Sequence, residues 1–285
     1  MTTALNSCLF LIIFSLVGIG RVEGSAVTFS ASGANAAGIQ TTVDAYRTAL
    51  GTLNANVVGS FGSGRREINW DGVPDALSAP NLLPANFFNV NSPRGVLFST
   101  AGTGFEVSAN APGPIRFDNI NPTYSAAFQT FSAQRLFTPI GSNVMDVTFF
   151  VPGSATVAST SAFGAVFSDV DLANSTSLQF FDLNNNSLGT FFAQAANNGL
   201  SFLGVQFNAG EKVSRVRITS GNAALGANDG TIDAVVMDDF IYAEPVGVPE
   251  PLSLLTLIIG GLSLALICRR SALGRFPVLT IVNRQ

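Results

Sequence analysis

Apolar residues along this chain recur in two periods, and the period changes once. In AAGIQTTVDAYRTALGTL, Ile39, Val43, Tyr46 and Leu50 fall on one face of a helix that Gly51 can end. Beyond it the spacing becomes two. Val96 and Phe98, the turn-rich Ala101-Gly102-Thr103-Gly104, and Phe105 and Val107 predict a hairpin. Met145, Val147, Phe149 and Val151 form another alternating set, as do Phe163, Ala165 and Phe167. Leu178 and Phe180 turn through Asp182–Leu188 into Phe191. Leu203, Val205 and Phe207 cross Asn208-Ala209-Gly210 to meet Val216 and Ile218. Ile232, Ala234 and Val236 supply the last strand, which ends in Asp238-Asp239-Phe240-Ile241-Tyr242. Short strands punctuated by turns predict an all-β, antiparallel sandwich of jelly-roll-like type with one short N-terminal helix, spanning 25–242. A weaker break near Pro139–Ser142 allows two halves, divided near 140, and no internal repeat is visible.

Two further apolar runs flank this region. Cys8–Ile19 holds 12 residues, too few to span a bilayer of about 30 Å, and reads as the core of a secretory signal over 1–24. Cleavage is expected after Gly24, before Ser25, or after Ala26; an uncleaved N-terminal anchor is the alternative. At the other end, a linker and motif over 243–251 lead into LSLLTLIIGGLSLALI, Leu252–Ile267, within a membrane segment over 252–268. As a helix that run measures about 24 Å, workable with neighbouring residues and local thinning. Arg269 and Arg270 open a basic tail over 269–285 that the positive-inside rule keeps cytoplasmic, which places the upstream chain outside.

Val248, Pro249, Glu250 and Pro251, the apolar run and the arginine pair, in that order, resemble the bacterial PEP-CTERM sorting signal. The resemblance covers about 20 residues, and fifteen more, Ser271–Gln285, follow the arginines. It implies processing near Pro249-Glu250-Pro251 by an exosortase, a transpeptidase-like membrane enzyme of bacteria that make exopolysaccharide. An ordinary C-terminal anchor is the alternative, and both require export. Phe163–Tyr242 is also similar to uncharacterised cargo domains that often precede such tails, which carry no assigned activity. The two prolines give the motif a physical sense, because they deny it helical continuity and leave Glu250 on an extended stretch.

Composition narrows the chemistry. Between Ser25 and Pro249 there are 16 acidic and 9 basic residues, a net charge of −7 and the wrong sign for a nucleic-acid partner. Both cysteines, Cys8 and Cys268, lie in the terminal apolar segments, so the exported domain must stand on core burial without disulfides. Histidine is absent, which removes Ser-His-Asp and Cys-His catalysis and the common zinc sites.

Three candidate sites remain. Asp169 and Asp171, with Asp238 and Asp239, would form a calcium site if their strands are neighbours; solvated loop acids, or pairing with Arg215 and Arg217, is the plainer account. Trp70, the lone tryptophan, with Arg66 and Asp71 could stack on a sugar, against a partly buried anchor where helix meets sheet with Arg66 and Asp71 paired locally. A glycosidase could draw two carboxyls from Glu67, Glu106, Asp71 and Asp75, although no spacing selects a pair. Asp182-x-Asn184-x-Asn186 imitates a calcium-loop opening, but Ser187 and Ala193 stand where Gly and Glu are needed, so it reads as a turn. The expectation is therefore a non-enzymatic surface or matrix protein associated with exopolysaccharide, requiring no cofactor unless calcium binds. A carbohydrate module at Trp70 is the runner-up, with a carboxylate hydrolase third.

Overall fold

Alternation marks the strands that have one wet face, and nearly continuous apolar runs mark those covered on both. A computed structural model describes residues 26–226 and 232–248. In chain order the elements are β1 (Ala26–Gly33), α1 (Ala36–Leu50), β2 (Arg65–Ile68), β3 (Val96–Thr100), β4 (Gly104–Val107), β5 (Phe137–Ile140), β6 (Val144–Phe149) and β7 (Ala158–Ser159). They continue as β8 (Ala162–Val170), β9 (Ser177–Phe181), β10 (Ser187–Phe192), β11 (Ala196–Phe207), β12 (Arg215–Thr219), β13 (Val236–Ala243) and β14 (Val246–Gly247). The described chain is mostly β, and its paired strands are antiparallel.

One sheet runs β1-β11-β8-β13-β5-β4, with β2 also on β13, and the other runs β10-β9-β12-β6-β3. Their inner faces share a core in which Val147, Phe149, Leu178 and Val216 of the smaller sheet meet side chains of the larger one, Phe163, Phe167, Leu203 and Phe240 among them. The larger sheet is covered on its outer side by α1. Ile39, Val43, Tyr46 and Leu50, the face read from the sequence, pack with Val166, Phe202 and Ile241. Gly164 and Gly204 make room for this. A Cβ at either position would lie 2.9 or 3.0 Å from the Tyr46 ring, so the glycines form the trough in which that ring sits. With both faces covered, β13 is buried at every residue, whereas β6 alternates as expected.

Several expectations are corrected. Val96–Phe98 and Phe105–Val107 are not a hairpin, because β3 pairs with β6 and β4 with β5 in the opposite sheet. Residues 203–207 and 216–218 likewise lie in different sheets. The tract near 140 is no break, since β5 joins β4 to β13 within one sheet. The segment from Ala243 to Val248 is no free linker either: Ala243 ends β13, and β14 pairs with β7. The Asp182–Leu188 turn does join β9 to β10 as read. Asp182 Oδ1 accepts the Asn184 and Asn186 N–H groups, and Asn185 takes the left-handed backbone. The signal over 1–24 with Ser25, the motif residues Pro249, Glu250 and Pro251, the apolar run 252–268 and the tail with Arg269 and Arg270 lie outside the described residues. No helix of the described residues is long and apolar enough to cross a membrane.

Candidate functional site

The four aspartates proposed for calcium do not converge. β8 and β13 are neighbours, but Val236 pairs with Ser168 and Met237 with Phe167, so Asp169 and Asp171 lie toward Asp233. Asp238 and Asp239 lie mid-strand, where the register shifts between Met237 and Phe240. This bulge suspends the usual alternation, and both carboxyls point at the same loop. Asp238 Oδ2 accepts the Phe131 N–H at 2.6 Å, and Ser132 Oγ lies 3.2 Å from Asp238 Oδ1 and 2.7 Å from Asp239 Oδ1. Asp239 also pairs with Arg47 of α1 at 3.2 Å. Burial, then the neighbouring Asp239 charge, pushes the Asp238 carboxyl well above the carboxylate range. Asp239 is raised by burial too, against Ser132 and Arg47. The pair is a structural clamp between α1, the 131–132 loop and the sheet. Asp238 is fully buried.

At the end of β8, Asp233 is saturated internally: Oδ1 accepts from Asp171 N, and Oδ2 from Leu172 N and Ser175 Oγ. Asp169, at φ 68°, accepts the Asn198 N–H at 2.7 Å. Burial, then the charges of Asp171 and Asp233, pushes the Asp169 carboxyl up to about 6 against that hydrogen bond. Among the described residues, no group of three or more His, Cys, Asp or Glu side chains is arranged to hold a metal. Arg215 and Arg217 pair instead with Asp146 across β12 and β6.

The raised Asp169 carboxyl has a definite pH signature. Between the ordinary carboxylate range and about pH 6 the folded state keeps a proton that the unfolded chain has lost, so stability falls as pH rises through that window and is flat above it. Asp169→Asn retains an acceptor for Asn198 and tolerates the left-handed backbone. In EDTA it is expected to raise stability at pH 7.5 by roughly 1 kcal/mol, after discounting for partial exposure, and to change little at pH 4. Equal pH dependence of wild type and variant in thermal melts would refute this. A calcium-dependent loss of stability in the variant would instead mark Asp169 as a ligand.

Trp70 is no platform for a sugar. It is 1% exposed, stacked on Phe137 at 4.0 Å between ring centroids and edge-on to Phe240 and Phe88. The recess it borders holds about 70 Å³, space on the scale of two waters rather than a pyranose ring. Arg66 is buried against Glu244 at 2.7 Å, and Asp71 accepts the Arg135 N–H at 3.2 Å, so the three residues share no open surface.

The candidate hydrolytic carboxyls are also engaged. Glu67 lies between Arg65 at 2.6 Å and Arg47 at 2.8 Å, and Asp75 pairs with Arg135. Glu106 is buried, accepts from Asn119 Nδ2 at 2.9 Å, and is raised by that burial.

A cleft not anticipated from the sequence lies beside the C-terminal end of β13. It encloses about 300 Å³ and is lined by Ser159, Thr160, Ser161, Gln206, Glu211 and Lys212, among others. Glu211 Oε2 accepts the Ala209 N–H at 2.9 Å, while its Oε1 is buried with no partner among the described residues. Hydroxyls, an amide, the carboxylates of Glu211 and Glu244 and the chain's single lysine suit a polyhydroxylated ligand. No protein-family model, no curated protein and no solved structure matches this chain.

Proposed function

We propose that this chain is an exported, non-enzymatic protein of the bacterial envelope or extracellular matrix, delivered by its N-terminal signal and sorted through a PEP-CTERM tail by an exosortase-type enzyme. The observation that carries the reading is the order Pro249-Glu250-Pro251, Leu252–Ile267, Arg269-Arg270 directly after the last strand. A domain without cysteine or histidine, in which Glu67 and Glu244 are held by arginines, supports a structural role over catalysis. The chain passes repeatedly between the two sheets, which supports the jelly-roll-like reading of the sandwich. Exopolysaccharide is the partner class, and its contact belongs at the cleft of Gln206, Glu211 and Lys212 rather than at Trp70.

Mass spectrometry of the protein recovered from cells and medium tests this reading. The expected result is a new N-terminus at Ser25 or Val27 and, in the released form, a C-terminus near Pro249–Pro251, with Glu250→Ala retaining the full tail. A cytosolic protein with both termini intact overturns it. Polysaccharide retained by the recovered protein is expected to fall severalfold in Lys212→Ala.

A further inference from the structure

The two ends of the sandwich differ in character. At the end of β8 and the start of β13 lie Asp169, Asp171 and Asp233. At the opposite end, where β14 delivers the chain to Val248, three segments without a charged residue come together: 52–64, 76–93 and 147–168. The Gly59 N–H donates to Pro152 O at 2.8 Å, Asn89 Nδ2 donates to Ser154 O at 2.8 Å, and the Val248 N–H donates to Val157 O at 3.0 Å. These segments hold out large apolar side chains. Val58 is 70% exposed, Val90 61% and Phe61 52%, and Leu53, Val57, Val157 and Val246 are exposed with them. An apolar recess of about 480 Å³ opens between Val58, Val90, Leu97 and Phe150.

The loop is fixed in this position. The buried Arg66 guanidinium donates to Ala55 O, Gly59 O and Pro93 O, and its central carbon lies 5.3 Å from the centre of the Phe61 ring. Apolar surface held outward around one point asks for an apolar cover. The chain itself indicates which. From Val248 to Leu252 is four residues, at most about 14 Å of extended chain, and there the run Leu252–Ile267 begins.

We infer that this end of the domain rests on the lipid surface, with Val57, Val58, Phe61, Val90 and Val157 entering the headgroup region while the tail is anchored. The inference relies on the proposed membrane insertion of 252–267. Charge fits the orientation. The end with Asp169, Asp171 and Asp233 points away from anionic lipid, the three apposed segments hold no Asp or Glu, and the cleft that adjoins them at Gly62–Gly64 sets Lys212 beside Glu211. The nine residues of β8 separate the two ends by about 30 Å, so lipid contact at one excludes it at the other.

The test uses the tail-bearing protein with Cys8→Ala and Cys268→Ala, reconstituted in phosphatidylcholine–phosphatidylglycerol vesicles, with a fluorophore on single cysteines and quencher-labelled lipid. The probes are Val58→Cys and Phe61→Cys on the proposed face, Leu172→Cys beside the acidic end, and Gly260→Cys in the tail. Quenching at 58, 61 and 260 but not at 172 is expected. Quenching at 260 alone overturns the proposed face and leaves the membrane tail standing. No quenching at 260 removes the membrane reading on which the face depends. A second comparison, Val58→Ser with Phe61→Ser, is expected to reduce quenching of a probe at Val90→Cys at least threefold; an unchanged value counts against contact by this face.

Discussion

Glu244→Gln is expected to cost about 3–5 kcal/mol, seen as a melting temperature lowered by roughly 10 °C. Glu244 and Arg66 are fully buried at the side chain, joined by Nε to Oε2 at 2.7 Å and Nη2 to Oε1 at 2.9 Å. The carboxylate also accepts Asn54 Nδ2 at 2.8 Å and the Phe61 N–H at 3.3 Å. Arg66 spends its remaining N–H groups on three backbone carbonyls. Neutralising Glu244 leaves a guanidinium in a dry site with its countercharge gone, which is far costlier than never having built the pair. Arg66→Met alone is expected to be as damaging, and the double change Arg66→Met with Glu244→Leu less so than the sum. Hydrogen exchange should show the effect first in 52–64, the loop that Arg66 pins. A cost below about 1 kcal/mol for Glu244→Gln would mean that water reaches the pair and that the loop is held by other means.

Neither partner's role could be read from sequence, and the reason is topological. The helix was legible because its signal is local: Ile39, Val43, Tyr46 and Leu50 declare a face whatever they pack against. Strand β6 was legible because its alternate residues stay partly wet. Pairings were not, since β3 to β4 and β11 to β12 each cross between sheets, so a turn-rich connection between apolar runs looked like a hairpin without being one. The same distance misled the site reading. Arg66 and Asp71 flank Trp70 in sequence and suggest a polar rim, yet their partners are Glu244 and Arg135, 178 and 64 positions away. Asp238 and Asp239 resembled strand-end acids because a bulge, invisible in composition, turns both toward Arg47 and Ser132. The cleft at Glu211 and Lys212 had no sequence signal, as its hydroxyls come from β7 and the strands around it.

Trp70→Ala is expected to destabilise the fold by about 3–5 kcal/mol, the range for deleting a large buried aromatic. Its indole joins the two sheets: Phe137 and Phe240 of the larger sheet contact one side, Phe98 of the smaller lies 6.1 Å away, and Phe88 closes the edge. Nε1 donates to the Asp238 carbonyl at 2.8 Å, so the same residue satisfies the backbone beside the aspartate clamp. The backbone there has φ 65°, a left-handed conformation that costs an L residue about 1–2 kcal/mol and that the side-chain packing must outweigh. Trp70→Phe keeps part of the stacking but loses the hydrogen bond, so roughly 1–2 kcal/mol is expected. Trp70→Gly relieves the backbone strain and should fall short of the alanine loss by up to about 1 kcal/mol. Denaturant melts of the three variants check the ordering Phe, then Gly, then Ala from least to most damaging. A tryptophan that served a ligand would behave otherwise: its alanine variant would melt like the wild type.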